Sequence, residues 1–392
     1  MTSKIYLIFS LFFLAACSAN KPVVSSVNKT TPSLDDMISE MVMVGFREAE
    51  IDENTPIYHT IKNGYAKGII LFSRDWPSDF TLTRNIKSKA QVQKLCADLQ
   101  KVGNNKLLIA IDEEGGRVSR LNAQSGYATA DSAENIGAKN DLKITREWSA
   151  LTANKVKESG FNVNFAPDVD LAIEKKTGGI GRLKRSFSDN PDVVIKNANV
   201  FIEEHKKVKV LTAIKHFPGH GSAKGDTHDG FTDITKLWQN AELLPFKTLI
   251  EGKNIDMVMT SHLFNANFDT LPATLSYKVI TGKLRNELGW KGVIISDDMH
   301  MGAMTKNFSF EKSIELAINA GVDILIFSNN MAPIKAVFDE KTKKETNVDP
   351  YDSFVGAKVF FAIKKMVKEG KITPQRVKES YDRIMLMRSR IQ

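Results

Sequence analysis

Residues 210–228 read VLTAIKHFPGHGSAKGDTH, an apolar run of strand length that passes directly into a loop rich in Gly, His and charged side chains. The run is continuous rather than alternating, as a strand covered on both faces requires. The loop that follows has too few apolar side chains to pack a core, and polar loops on rigid strands are where catalytic groups usually lie. The stretch therefore predicts a buried parallel strand with a functional loop at its carboxyl end.

The same pattern of buried runs recurs along the chain. The apolar runs are Met41–Phe46, Gly68–Phe72, Leu107–Asp112, Asn162–Val169, Val210–His216, Asp256–His262, Gly292–Asp298 and Val322–Ser328. The helical patterns are Ala90–Val102, Thr145–Ser159, Pro191–Lys207, Ala241–Glu251, Tyr277–Leu288 and Phe310–Ala320, with Ser353–Lys368 and Thr373–Arg390 closing the chain. Eight buried strands that alternate with helices predict an α/β fold, a (β/α)8 TIM-like barrel in a single catalytic domain. The alternative is an open doubly wound sheet, which the lack of a Gly-x-Gly-x-x-Gly sequence opening a helix disfavours.

The composition of the chain narrows the classes of molecule that it could bind. The chain has 392 residues, of which 42% are hydrophobic and 26% charged, and its net charge is +8. The basic residues are scattered, without a tract of interleaved aromatics, so we expect no nucleic-acid partner and only mild attraction to anionic surfaces. We expect a monomer without a cofactor. Two polar segments, Asp75–Lys89 and Asp339–Asp352, do not fit the barrel repeat and are interpreted as an insertion and a charged loop.

The amino terminus has the composition of a secretory signal. Lys4 precedes an apolar stretch, and Leu14-Ala15-Ala16-Cys17 ends it. The stretch is shorter than the roughly 20 residues that a spanning helix needs. The ending resembles a bacterial lipobox, which implies a signal over residues 1–16, lipidation of Cys17, a flexible tether to residue 33 and a folded domain over residues 34–392. The alternative is a single membrane-spanning anchor.

This resemblance also implies a location. The protein is expected in the cell envelope, anchored to a membrane through Cys17, and Ser18 favours the outer membrane or the periplasmic side if the bacterium is Gram-negative. Cys96, the other cysteine, lies at helical spacing and is interpreted as a buried thiol.

Polar residues cluster where the predicted strands end, which is the face from which barrel enzymes build their sites. The clusters begin at Asp112, Lys215, Ser261 and Ser296. Each has a simpler explanation, since Asp112 and Asp297-Asp298 could cap helices and His262 could be a core histidine. We nevertheless take His262 as a candidate sugar ligand.

The loop after Lys215 has no good structural explanation. Asp226-x-His228 is a candidate dyad, because a carboxylate can hold one imidazole nitrogen while the other transfers a proton. His216, His220 and His228 could instead bind a metal ion, but their spacing is not the usual one for ligands, so no metal is predicted.

Three motifs, in this order along the chain, resemble those of glycoside hydrolase family 3. They are DEEGGRV at 112–118, KHFPGHGSAKGDTH at 215–228 and GVIISDDM at 292–299, and the loop motif most resembles the β-N-acetylglucosaminidase branch. The similarity runs from about Leu34 to Asn330. The resemblance implies that Asp297 is the nucleophile and that His228, paired with Asp226, is the acid/base. It further implies sugar contacts from Asp112, Arg120, Lys215, His216 and Arg185.

The implied activity is that of a retaining exo-β-N-acetylglucosaminidase acting on peptidoglycan or chitin-derived oligosaccharides through a glycosyl-enzyme. Two alternatives stay open within the family, a phosphorylase of the same glycosides and another β-glycosidase. A third, from a different class, is a surface lipoprotein that binds sugar without catalysis.

Overall fold

The structure is a computed structural model that describes residues 1–2, 31–78, 82–225, 230, 232–331, 334–339, 344–348 and 350–391. Two compact units are present, Met1–Pro32 and Ser33–Gln392. All secondary structure given below belongs to the second unit. No helix among the described residues is both long enough and apolar enough to cross a bilayer.

The centre of the unit is a closed barrel of parallel strands. In chain order they are β1 Val42–Gly45, β2 Gly68–Ile70, β3 Leu108–Ile111, β4 Val163–Asn164, β5 Leu211–Phe217, β6 Met257–Thr260, β7 Val293–Asp298 and β8 Ile324–Phe327. Neighbours around the barrel follow the chain, and β1 closes the ring by pairing with β8. Nearly all their residues are buried, because side chains fill the barrel on one face and helices cover the other. The predicted (β/α)8 barrel is confirmed.

Helices pack around the strands. They span Leu34–Glu40, Pro56–Lys62, Lys89–Val102, Ala133–Lys139, Leu142–Glu158, Pro191–Lys207, Leu244–Glu251, Gly302–Thr305, Phe310–Ala320, Val355–Lys368 and Pro374–Arg388, and a π-helix spans Lys278–Glu287. Capping side chains and proline determine where several of these helices begin. Asn190 and Thr373 cap helices with Pro at the first position, where a missing N–H costs nothing.

The structure corrects two details of the sequence interpretation. The segment Asp339–Asp352, expected as a loop, contains Lys344–Val348, which pairs antiparallel with Ile334–Asp339 as a two-stranded ribbon. The fourth run was expected to extend to Val169, but its paired strand ends at Asn164. Pro167 lacks an N–H for the ladder, so pairing resumes only in the isolated bridge between Asp168 and Lys215.

Candidate active site

The carboxyl ends of the strands bring the polar clusters to one mouth of the barrel. Asp112 follows β3, Asp168 follows β4, Lys215 and His216 lie in the last half of β5, and Asp297 lies near the end of β7. Parallel strands in a barrel all end at the same face, so residues far apart in sequence meet there.

The DEEGGRV motif forms a tight hairpin in which Glu113–Gly115 pairs antiparallel with Val118–Ser119. Gly115 has φ +87°, and a Cβ there would lie 2.3 Å from the carbonyl oxygen of Asp131. Only glycine fits this turn. The hairpin returns Arg120 towards Asp112, with 3.8 Å between Arg120 Nη2 and Asp112 Oδ2.

Lys215 lies between two carboxylates from this motif. Its Nζ is 2.8 Å from Asp112 Oδ1 and 2.6 Å from Glu114 Oε1. Burial by itself would lower the pKa of Lys215, but Asp112 and Glu114 outweigh burial and raise it. Lys215 is therefore a permanent cation that holds both carboxylates in place.

Arg185, from a loop far from this motif in the sequence, supplies a second cation to the network. It donates to both oxygens of Glu114 in a bidentate pair, at 2.8 Å each, and its Nε lies 3.4 Å from Asp168. Burial alone would raise the pKa of Glu114, but the cations Arg185 and Lys215 hold it well below its usual range. Glu114 is thus a buried anion at every relevant pH.

The tautomer of His216 follows from its partners. Arg185 Nη2 lies 3.2 Å from His216 Nε2, and because arginine can only donate, Nε2 accepts. The proton is therefore on Nδ1, which donates to Asp170 Oδ2 at 2.7 Å. Burial, with Arg185, lowers the pKa of His216 to about 4, so the ring is neutral at neutral pH.

Asp170 is the anchor of the loop after β5. It accepts the backbone N–H of His216 at 3.1 Å and that of His220 at 2.8 Å. Burial raises the pKa of Asp170, and that of its neighbour Asp168, to about 7. Burial also lowers the pKa of His220 to about 3. The negative charge of Asp297 works against this lowering of the pKa for both His216 and His220, so its carboxylate interacts electrostatically with this cluster.

Asp297 and Asp298 have different surroundings. Asp298 Oδ1 accepts the N–H groups of Ser328 at 2.8 Å and His300 at 3.1 Å, and its Oδ2 accepts the hydroxyl of Ser328. Asp297 Oδ1 accepts the N–H of Asp298 at 2.8 Å. Both residues are half-buried, but it is the carboxylate of Asp298 that is bonded to the residue that follows β8.

His262 is placed behind the site. It is fully buried, its Nδ1 is bonded to Thr274 Oγ1 and its Nε2 donates to the carbonyl oxygen of Asp298, both at 2.9 Å. With both ring nitrogens engaged inside the protein, this geometry favours a positioning role over the predicted sugar contact. The simpler explanation, a satisfied core histidine, fits these contacts.

Exposure separates the predicted sugar ligands into two groups. The side chains of Asp112 and Arg120 are 18% and 30% exposed, whereas those of Lys215 and His216 are 2% and 7% exposed. Asp112 and Arg120 can therefore reach a ligand directly, and the buried pair supports them. Asp226 and His228 of the predicted dyad, and Cys17, lie outside the described residues.

Three buried carboxylates of this network were not assigned a role from the sequence: Glu114, Asp168 and Asp170. Asp168 and Asp170 do carry a signal, since they lie at the end of the fourth predicted strand, as the other clusters lie at the ends of theirs. Glu114 lies inside the DEEGGRV motif, where no local pattern distinguishes it from Glu113.

Among the described residues, Asp168, Asp170 and His216 offer possible metal-ligand atoms within 4.8 Å of one another. The guanidinium of Arg185 already contacts this group, lying next to Asp168 and bonding His216. His216 Nδ1 is also engaged with Asp170. The arginine supplies the positive charge that a metal ion would bring, so the arrangement fits an ion-pair network better than a metal centre.

Known proteins similar to this chain cover most of its length. A beta-hexosaminidase of Actinobacillus pleuropneumoniae serotype 3 (strain JL03) is 31% identical over 316 residues, which cover 78% of this chain and 87% of that protein. A beta-hexosaminidase of Tolumonas auensis is 32% identical over 277 residues, covering 69% of this chain and 78% of that protein.

A solved structure gives the same fold. The glycoside hydrolase family 3 beta-N-acetylglucosaminidase of Paenibacillus sp. str. FPU-7 superposes with a TM-score of 0.77 at 27% identity, covering 92% of this chain and 63% of that one. Residues 33–387 match the model of the glycosyl hydrolase family 3 N-terminal domain. The chain therefore belongs to glycosyl hydrolase family 3 and is a glycoside hydrolase.

Proposed function

We propose that this chain is a retaining exo-β-N-acetylglucosaminidase that removes terminal β-linked N-acetylhexosamine from oligosaccharides. The observation that carries the proposal is the charged network around Lys215 at the mouth of the barrel, beside Asp297. Its partly exposed members, Asp112 and Arg120, offer an acceptor and donors to sugar hydroxyls. The relatives named beta-hexosaminidase support the choice of sugar.

Asp297 is the proposed nucleophile. In the first step one carboxylate oxygen of Asp297 attacks the anomeric carbon, the bond to the leaving oxygen breaks, and a glycosyl-enzyme forms. The N–H of Asp298 holds the other oxygen at 2.8 Å, which fixes the direction of attack. Asp298 cannot serve in its place without giving up its contacts to Ser328.

His228 is the proposed acid/base, with Asp226 holding its ring. It starts as an imidazolium and gives its proton to the leaving oxygen. In the second step the neutral ring takes a proton from water, the water oxygen attacks the anomeric carbon, and Asp297 is released as a carboxylate. Both residues keep the roles that the sequence resemblance implies.

The proposed substrates are peptidoglycan or chitin-derived oligosaccharides outside the inner membrane. This location depends on the lipobox-like ending at Cys17, since a lipid-anchored enzyme meets wall or chitin fragments in that space.

Hydrolysis of two matched chromogenic substrates tests the proposal. We expect the folded domain from Leu34 onward to cleave an aryl β-N-acetylglucosaminide much faster than the matching β-glucoside, and to release N-acetylglucosamine with or without phosphate. Faster cleavage of the β-glucoside would overturn the substrate assignment. Release of the sugar 1-phosphate when phosphate is present would indicate a phosphorylase, and no cleavage of either substrate would favour a binding protein.

A further inference from the structure

A buried ion pair lies at the base of the segment interpreted as a polar insertion. Asp75 and Arg84 are both fully buried, with 2.9 Å between Arg84 Nη1 and Asp75 Oδ1. Arg47 Nε donates to the same oxygen at 3.0 Å. A buried ion pair is weak evidence for stability, because desolvation offsets much of the attraction. The other contacts of Arg84 indicate a role besides stability.

Arg84 also bonds the turn that follows β8 through both of its terminal nitrogens. Its Nη2 donates to the carbonyl oxygens of Ser328 at 3.1 Å and Asn329 at 2.8 Å. Its Nη1 lies 3.2 Å from Asn330 Oδ1, which also accepts the N–H of Trp76 at 2.9 Å. We name Ser328–Asn330 the β8 turn. The planar guanidinium of Arg84 bonds all three residues of the β8 turn from one side.

The β8 turn in turn holds Asp298. Ser328 donates to both carboxylate oxygens of Asp298, from its N–H and from its hydroxyl. On the other side the turn is pressed against β1, since a Cβ at Gly45 would lie 1.9 Å from the Ser328 carbonyl oxygen. The same carbonyl accepts from Arg84. The turn therefore has little room to move while Arg84 is in place.

The last link is the backbone of Asp298, whose N–H orients the carboxylate of Asp297. We propose that Arg84 is a positioning residue for the nucleophile, which acts through the β8 turn and Asp298 to fix the direction of the Asp297 carboxylate. The inference rests on the proposed role of Asp297. A nucleophile displaced by about 1 Å can cost on the order of 100-fold in rate, which makes the effect measurable.

Arg285 provides a matched control at the opposite end of the same strands. It is a buried arginine that bonds the carbonyl oxygens of Gly292 at 3.1 Å and Gly321 at 2.9 Å, and pairs with Asp323 at 2.7 Å. These partners precede β7 and β8, whereas the carbonyl partners of Arg84, Ser328 and Asn329, follow β8. Loss of either arginine breaks a comparable buried network, but only the loss of Arg84 should reach Asp297.

The experiment compares Arg84→Met, Arg84→Lys and Arg285→Met on an aryl β-N-acetylglucosaminide. For Arg84→Met we expect kcat per folded enzyme, and the rate of labelling by a 2-fluoro sugar, to fall about 10- to 100-fold with KM close to wild type. Arg84→Lys should recover part of the rate, because an ammonium can reach some of the carbonyl acceptors. Arg285→Met should lower Tm but keep kcat.

Equal kcat per folded enzyme in Arg84→Met and Arg285→Met would overturn the inference, and if Arg84→Met does not fold, Arg84→Lys carries the same comparison. A wild type that cleaves no β-N-acetylglucosaminide would refute the proposed function, and crystal structures then decide the positioning role. We expect the carboxylate of Asp297 to be rotated in Arg84→Lys and unchanged in Arg285→Met. An unrotated carboxylate in Arg84→Lys would refute the inference in that case too.

Discussion

Asp297 and Asp298 are neighbours in the chain, yet their carboxylates do different things. Both carboxylate oxygens of Asp298 accept from Ser328, and its carbonyl oxygen accepts from His262, so Asp298 connects β7 to the residues that follow β6 and β8. Asp297 lies near enough to His216 and His220 for its negative charge to oppose the lowering of the pKa of both. Adjacent residues at the end of a strand point to opposite sides, which separates the two roles.

Replacement of Asp297 tests this division. Asp297→Ala should lower kcat by roughly 1,000-fold or more, because no other group can form the glycosyl-enzyme, while the protein stays folded. Trapping with a 2-fluoro sugar and mapping of the labelled peptide identify the residue. Asp298→Asn serves as the comparison and should still be labelled at Asp297. A label on Asp298 in the wild type would refute the assignment.

Replacement of His228 tests the acid/base assignment. His228→Ala should slow aryl glycosides with poor leaving groups much more than those with good ones, because only the former need a proton. Asp226→Ala should show the same trend more weakly. The measurement is kcat/KM over a series of substituted phenols. An equal loss across the series would mean that His228 serves binding or structure.

His205 gives a pH dependence that does not involve the active site. It is fully buried on the helix Pro191–Lys207, bonded through Nδ1 to Phe201 and through Nε2 to Asn164, and burial lowers its pKa from 6.5 to about 4. Between these values the unfolded chain binds a proton that the folded chain does not. Its contribution to the free energy of unfolding is therefore present above pH 6.5 and lost as the pH falls towards 4.

The comparison with His205→Gln isolates this effect. The variant has no titrating group at this position, so its unfolding free energy should fall less steeply between pH 6.5 and 4. The difference in slope should amount to a change on the order of 3 kcal/mol over the window. Urea unfolding at several pH values measures it. Parallel curves for the two proteins would show that His205 is not neutral in the fold.

At the scale of elements, the hairpin that carries Arg120 depends on a buried pair from a helix. Lys155, on the helix Leu142–Glu158, lies 2.6 Å from Glu113 Oε1 and bonds the carbonyl oxygen of Leu121 at 3.1 Å. Glu113 Oε2 accepts the N–H of Leu121 at 2.9 Å. The helix thus holds Leu121, the residue after Arg120, and so helps to fix the distance between Arg120 and Asp112.

Loss of Lys155 should therefore affect both stability and substrate binding. Lys155→Met leaves Glu113 as an unpaired buried charge, which costs about 3–5 kcal/mol. Because Arg120 is displaced, KM for the β-N-acetylglucosaminide should rise more than kcat falls. The double variant Glu113→Gln/Lys155→Met should recover part of the stability. Unchanged KM in folded Lys155→Met would mean that the hairpin holds its shape without the pair.

For the molecule as a whole, the proposed lipid anchor determines the cellular compartment in which the enzyme acts. Cys17→Ser should block lipid attachment and leave the signal uncleaved at that site, because the thiol is the group that receives the lipid. Radiolabelled fatty acid and membrane fractionation provide the readout. Multiple acyl chains anchor firmly, whereas one chain binds only marginally. Wild-type protein found mainly in the cytoplasm with residues 1–16 attached would contradict the proposal.

The barrel could be predicted because its signals are local. A continuous apolar run such as Leu107–Asp112 indicates a strand buried on both faces, and the helical runs between such strands leave few topologies. A strand boundary departs from the apolar pattern where a single residue interrupts pairing, as Pro167 does in the fourth run. Side chains that follow strands, including Asp112 and Lys215, were placed at one face by the same logic.

The order of the buried strands and the face on which the polar groups gather follow from local sequence patterns, since both depend on neighbours within a few residues. Which charges pair with one another depends on the folded barrel. Lys215 meets Asp112 across 103 residues and Arg185 meets Glu114 across 71. No local pattern encodes such contacts. They exist because closing the barrel brings the strand ends together in a low-dielectric mouth, where every buried charge needs a partner.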